Sequence, residues 1–212
     1  MAAGTLLVTG AAGFIGSHLV DSLLARGERV VGLDNFDPFY DPAVKRENLA
    51  AAQRSDEFEL VEGDIRDRQL VERLLTDHEC RCIVHLAAKA GVRPSLQQPE
   101  LYADVNVRGT ASIFEAARST GVRRIIYASS SSVYGGIVKT PFSEEDPVDA
   151  PISPYAATKK ACELMAHTFH HLYQIDAIGL RFFTVYGARQ RPEMAIHKFT
   201  RLIDAGEPIP LF

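Results

Sequence analysis

An apolar run, Thr5–Thr9, ends in Gly10-Ala11-Ala12-Gly13-Phe14-Ile15-Gly16, and a segment whose apolar residues recur every three or four positions begins at once. Few folds accommodate that junction. Glycines so spaced let a strand turn sharply into a helix, pack the helix close on the strand, and leave the first N–H groups of the helix open to an anion. A glycine turn also occurs for purely structural reasons, so the flanking pattern decides. From residue 5 onward, short β-branched runs alternate with longer segments of helical period. The runs are Thr5–Thr9, Arg29–Leu33, Phe58–Glu62, Cys82–Leu86, Arg124–Ser129 and Ala177–Phe182. Helices are expected over Phe14–Arg26, Arg68–Thr76, Leu101–Ser119, Tyr155–Tyr173 and Ala195–Asp204.

Such βαβα alternation specifies an α/β fold, a Rossmann-type doubly wound parallel sheet covered by helices. Three irregular stretches interrupt it, Asn35–Arg46, Tyr134–Pro154 and Gly187–Glu193, and loops of that length usually carry function. At 212 residues and 46% hydrophobic content the chain can bury a sizeable core. A net charge of −4 supplies no basic field, so neither nucleic acid nor an anionic membrane is expected as partner. No apolar run reaches the ~18 residues of a membrane helix. Met1 leads almost directly into the first run with no signal pattern, which makes the cytoplasm the expected location. Cys80, Cys82 and Cys162 are odd in number and lack CxxC spacing, and read as reduced structural residues.

Asp34 follows the second run. A carboxylate there accepts hydrogen bonds from adenosine ribose hydroxyls and repels a 2′-phosphate, so the pattern points to NAD rather than NADP. A solvated turn residue is the other reading of Asp34. The spacing Gly-x-x-Gly-x-x-Gly, together with Gly63-Asp64-Ile65-Arg66-Asp67, His85-Leu86-Ala87-Ala88 and Asn106, resembles the extended short-chain dehydrogenase/reductases. That resemblance implies that NAD is held by Gly10, Gly13, Phe14, Ile15, Gly16, Asp34, Asn35, Leu86, Ala87, Ala88, Lys89, Asn106, Ser129 and Phe182, with Asp64 and Ile65 at the adenine. It divides the chain into a NAD-binding part, residues 1–180, and the start of a substrate-binding region, residues 181–212.

Tyr155 and Lys159 lie one helical turn apart on one face. A lysine ammonium near a phenol favours the phenolate by charge, and a tyrosine so placed can act as general base on a hydroxyl while the cofactor takes the hydride. Both would also touch the cofactor. Ser129-Ser130-Ser131-Ser132-Val133-Tyr134 closes the fifth run, where a parallel sheet presents ligands. By resemblance Ser130 assists the tyrosine, and Ser130, Ser131, Ser132, Tyr155 and Thr184 meet the substrate. Lys160, about 100° further round the helix, reads as an ordinary solvated lysine. Ala157, Ala161, Leu164, Met165, Thr168, Phe169 and Leu172 mark a buried or partner-packing face. His167 and His171 are spaced i, i+4, but no third acidic ligand is near, and no metal is expected.

Within the extended family the chain most resembles the UDP-sugar 4-epimerases, those acting on UDP-glucuronate foremost. The likeness lies in Asp34-Asn35 with Tyr40-Asp41 and Lys45-Arg46, in His85 through Arg93, in Tyr155 through Lys160, in Leu180 through Gly187, and in Arg191-Pro192-Glu193-Met194. It implies oxidation of a UDP-sugar at C4, reorientation, and return of the hydride to the other face, with bound NAD recycled. A 4,6-dehydratase needs a carboxyl pair where this chain has Ser131 and Ser132, and alcohols are poor acids and bases at neutral pH. UDP-glucose or UDP-galactose as substrate, a nucleotide-sugar decarboxylase or reductase, and a non-catalytic NAD sensor are the competing readings. Arg93 and Arg191 could each fork onto a phosphate or a C6 carboxylate, or make a surface ion pair. The resemblance also implies a homodimer through Leu101–Ser119 and Tyr155–Tyr173. It implies further segments beyond Pro208-Ile209-Pro210-Leu211-Phe212 that complete the sugar pocket. On that reading the sugar-binding part is largely absent, and the chain alone is expected to bind NAD but turn over poorly, with bare apolar surface near Ile196–Phe212.

Overall fold

The computed structural model describes residues 4–210, so Met1, Leu211 and Phe212 lie outside the described residues. Six parallel strands form one sheet: β1 (Thr5–Thr9), β2 (Val30–Asp34), β3 (Phe58–Glu62), β4 (Cys80–His85), β5 (Arg124–Ser130) and β6 (Asp176–Phe182). Their order is β3-β2-β1-β4-β5-β6, so the winding reverses between β1 and β4 and opens a crevice at the strands' C-terminal ends.

The period of two along each strand divides the core into two layers. Leu7, Leu33, Ile83 and Ile125 face one layer with Ile113, Phe114 and Cys162. Val8, Val30 and Val84 face the other with Val20 and Leu49. All three cysteines are free and buried.

The helices are α1 (Phe14–Leu24), α2 (Pro42–Asn48), α3 (Arg68–Asp77), α4 (Val92–Gln97), α5 (Pro99–Tyr102), α6 (Gly109–Thr120), α7 (Pro154–Tyr173) and α8 (Ala195–Asp204). Two differences from the sequence reading have physical causes. Asn35–Arg46 is not wholly irregular, because Asp41 caps α2 by accepting from Ala43 N at 2.8 Å and Pro42 suits its first turn. The single helix expected over Leu101–Ser119 is three pieces, since a π-helical segment, Ala103–Arg108, separates α5 from α6. That segment turns Asn106 inward: its amide accepts from Lys89 N (2.8 Å) and donates to Lys89 O (3.0 Å) and Thr158 Oγ1 (3.0 Å).

On α7 the expected apolar face divides. Met165 and Phe169 pack against the core, whereas Ala157, Leu164, Thr168 and Leu172 are exposed. Strand β6 runs through the expected boundary after residue 180, with Arg181 and Phe182 paired in register with Ser129 and Ser130. Among the described residues no helix is long and apolar enough to cross a membrane.

Candidate active site

A cavity of about 560 Å³ opens at the strand C-termini. Every site residue expected from the sequence lines it except Asn106 and Arg93. Asn106 stands one layer behind, holding the Lys89 segment to α7. Arg93 is exposed on α4.

At the glycine turn, Gly10 has φ +70°, and a β-carbon there would stand 2.7 Å from Ala87 N. A β-carbon on Gly16, inside α1, would collide with the Gly10 carbonyl. Positions 10 and 16 therefore admit no side chain, and Gly13 begins α1 without a side-chain cap. Asp34, 8% exposed, accepts from Ala12 N (3.0 Å) and Phe36 N (2.9 Å). Burial raises its pKa, and those two hydrogen bonds and the Lys45 charge offset this only in part. Each carboxylate oxygen keeps a lone pair for a further donor such as a ribose hydroxyl.

Asp64 is differently placed. Its oxygens accept from Arg66 N, Nε and Nη2 and from Asn35 Nδ2, at 2.7 to 3.1 Å, which fills the roughly four acceptor sites of a carboxylate. The Arg66 bonds hold its pKa down at about 2. Asp64 and Ile65 both line the cavity, and the Asp64 carboxylate holds Arg66 and Asn35 in place.

At the other end, Ser153 caps α7 by accepting from Ala156 N at 3.1 Å, and Pro154 occupies its first turn. Tyr155 follows, its ring edge-on to Tyr102 at 6.2 Å and its N–H bonded to Ser95 Oγ at 3.1 Å. Lys159, 5% exposed, donates to Ala128 O at 2.8 Å, which leaves two of its three donors. Ser130 Oγ accepts from Ser132 N at 3.1 Å, so its own proton is free to donate. Ser129, expected at the cofactor, lines the cavity and gives its side-chain proton to Glu163 Oε1 at 2.6 Å. Lys160 is not freely solvated: its side chain is only 20% exposed and reaches to 4.0 Å from Asp149.

Behind this wall His85 bridges Thr9 Oγ1 (2.7 Å) and Thr110 Oγ1 (3.1 Å). Burial and then the Lys159 charge lower its pKa to about 3, so the ring is neutral at physiological pH. Thr9 Oγ1 also accepts from Ala87 N at 3.2 Å, tying the network to the cavity wall. Arg191 faces the cavity from the 187–194 loop, 3.2 Å from Glu193 and 5.6 Å from the centre of the Phe39 ring.

Tyr40, Lys45 and Arg66 line the cavity but had no role assigned from sequence, and Glu163 and Arg181 brace it. Glu163 was detectable, one turn beyond Lys159 on the same face of α7. Lys45 was not, because a lysine on a short surface helix ordinarily reads as solvated; here it is 8% exposed and donates to Asp37 O at 2.8 Å.

The family model described as GDP-mannose 4,6 dehydratase matches residues 7–207. The chain is 48% identical over 209 residues to UDP-glucuronate 4-epimerase 4 of Arabidopsis thaliana, covering 98% of this chain and 48% of that protein. The chain thus spans about half the length of that curated relative. Among solved structures it is similar to UDP-glucuronic acid 4-epimerase from Bacillus cereus in complex with UDP-glucuronic acid and NAD, with TM-score 0.90, 37% identity, and coverage of 98% and 65%. It is similar also to a double mutant of DesIV, a dTDP-glucose 4,6-dehydratase from Streptomyces venezuelae, with NAD bound, with TM-score 0.89, 36% identity, and coverage of 97% and 64%.

Proposed function

Given that the chain belongs to the GDP-mannose 4,6-dehydratase family of NAD-dependent epimerases and dehydratases, we propose that it is the cofactor-binding and catalytic part of a UDP-sugar 4-epimerase, with UDP-glucuronate as substrate. The residues present suit NAD: a glycine turn with no room for a side chain at Gly10 or Gly16, Asp34 with acceptor capacity to spare, and Lys159 with two free donors. When bound, the cofactor supplies a reversible hydride acceptor. With the cofactor bound, Tyr155 would take the proton of the C4 hydroxyl during oxidation at C4 and would return it during the reduction that follows. Lys159, anchored on Ala128 O, fixes its ammonium one turn from Tyr155, while Ser130 donates to the same C4 oxygen.

The observation that carries epimerisation over dehydration is the placement of carboxylates. Among the described lining residues only Asp34, Asp37 and Asp64 are acidic. Asp34 and Asp64 are tied as above, and Asp37 accepts from Lys89 Nζ at 2.8 Å and Phe39 N at 3.0 Å. Sharing the cavity with Tyr155 are Ser131 and Ser132, which cannot drive elimination of water at neutral pH. Arg191 supports glucuronate, since a guanidinium on the cavity wall can fork onto a C6 carboxylate. The test is product identification by NMR after incubation with NAD and UDP-glucuronate. UDP-galacturonate supports the proposal, and a 4-keto-6-deoxy or decarboxylated product contradicts it.

A further inference from the structure

We propose that Tyr40 is a direct ligand of the bound dinucleotide, its hydroxyl donating to a cofactor oxygen beneath a clasp formed by two loops. This rests on the NAD reading above and extends it to a residue with no assigned role. The Tyr40 hydroxyl oxygen is buried and has no hydrogen-bond partner, although Tyr40 lines the cavity. A buried hydroxyl left unpaired is costly, and native structures rarely keep one without a reason. Its surroundings point to an acceptor brought by a ligand. Lys45 Nζ lies 4.8 Å from the ring centre, and Asp34, Arg191 and Glu193 are close enough to act on the hydroxyl by charge. The hydroxyl therefore lies within reach of the charges of both Asp34 and the arginine of the opposite loop.

The loops are built to stay over that point. The 187–194 loop is pinned to α1, the helix that starts at the glycine turn, by Arg189 to Asp21 at 2.7 Å and by His18 Nε2 to Ala188 O at 2.9 Å. The 36–40 loop is pinned from below by Lys45 to Asp37 O and by Lys89 to Asp37 Oδ1, both at 2.8 Å. The two meet where the Arg191 guanidinium faces the Phe39 ring. Tyr40 and Arg191 both line the cavity, and Tyr40 is the clasp residue whose polar atom lacks a partner. Retention of the cofactor follows, as a reaction with no net redox change requires.

Tyr40→Phe deletes the hydroxyl and keeps the ring. NAD is titrated calorimetrically into wild-type and Tyr40→Phe protein, and the melting temperature of each is measured with and without NAD. The expected result is NAD affinity about ten-fold weaker in the variant, the size of one lost hydrogen bond to a polar or charged acceptor. Without NAD the variant should melt at or above the wild-type temperature, because an unpaired buried hydroxyl has been removed. Equal NAD affinity in the two proteins overturns the assignment. So does a fall in the NAD-free melting temperature, which marks a structural role, or a loss confined to UDP-sugar affinity. Wild-type protein that is folded and takes up no NAD overturns both this assignment and the cofactor reading.

Discussion

Glu163 and Arg181 meet through two hydrogen bonds, Nε to Oε1 at 2.9 Å and Nη2 to Oε2 at 3.0 Å, and the same Glu163 oxygen takes the Ser129 proton at 2.6 Å. Arg181 also reaches Glu144 O at 3.3 Å and lies 5.0 Å from the centre of the Tyr134 ring. One pair thereby joins α7, the end of β5 and β6 directly behind Ser130.

Arg181→Ala should therefore destabilise the fold by about 2–3 kcal/mol, less than for a fully buried pair because the side chains are 18% and 13% exposed. Burial alone would raise the Glu163 pKa, but the bonds from Arg181 and Ser129 outweigh it and hold the group below the usual glutamate range. The pair's contribution is thus present above the unfolded value of about 4.3 and is lost as pH falls through the lower folded value. Urea denaturation at neutral pH and below about pH 4 checks both points. A variant within about 0.5 kcal/mol of wild type at neutral pH would show the pair to be inert.

NAD should bind more tightly than NADP by at least about ten-fold, because a 2′-phosphate would face the Asp34 carboxylate, which is fixed between Ala12 N and Phe36 N and cannot swing away. Parallel calorimetric titrations decide this, and equal affinities would remove Asp34 from the ribose.

Replacing Arg191 with Ala should weaken UDP-glucuronate by roughly 10- to 150-fold, the worth of a desolvated charged hydrogen bond, and UDP-glucose much less. Arg191 pairs with Glu193 at 3.2 Å, so Glu193→Gln should free the guanidinium and tighten UDP-glucuronate modestly. Equal losses for both sugars in Arg191→Ala would mean a phosphate contact or a structural role.

What the sequence disclosed, and what it hid, divides along a physical line. The glycine turn, Asp34 and the Tyr155–Lys159 spacing were readable because backbone geometry alone determines them. A strand-to-helix turn needs Gly10, and a helical step of four puts Lys159 beside Tyr155. The π-segment at Ala103–Arg108 was hidden because its cause is tertiary, with Asn106 turned inward to bind Lys89 and Thr158. The bracing role of Asp64 was hidden for a similar reason. Its acceptors are filled by Arg66 two residues away and by Asn35 from the neighbouring strand end. Tyr40 could be quoted from the sequence but given no task, since an unpartnered hydroxyl becomes visible only when every possible partner has a position.

The central claim, that C4 is inverted by a hydride leaving and returning through bound NAD with Tyr155 moving the proton, is tested most directly with UDP-glucuronate deuterated at C4. With NAD-loaded protein in ordinary water, the C4 epimer should form with the deuterium retained at C4, and Tyr155→Phe should bind NAD as wild type does yet form no epimer. Loss of the label to solvent, or epimer formation by Tyr155→Phe within a factor of about ten of wild type, would contradict it.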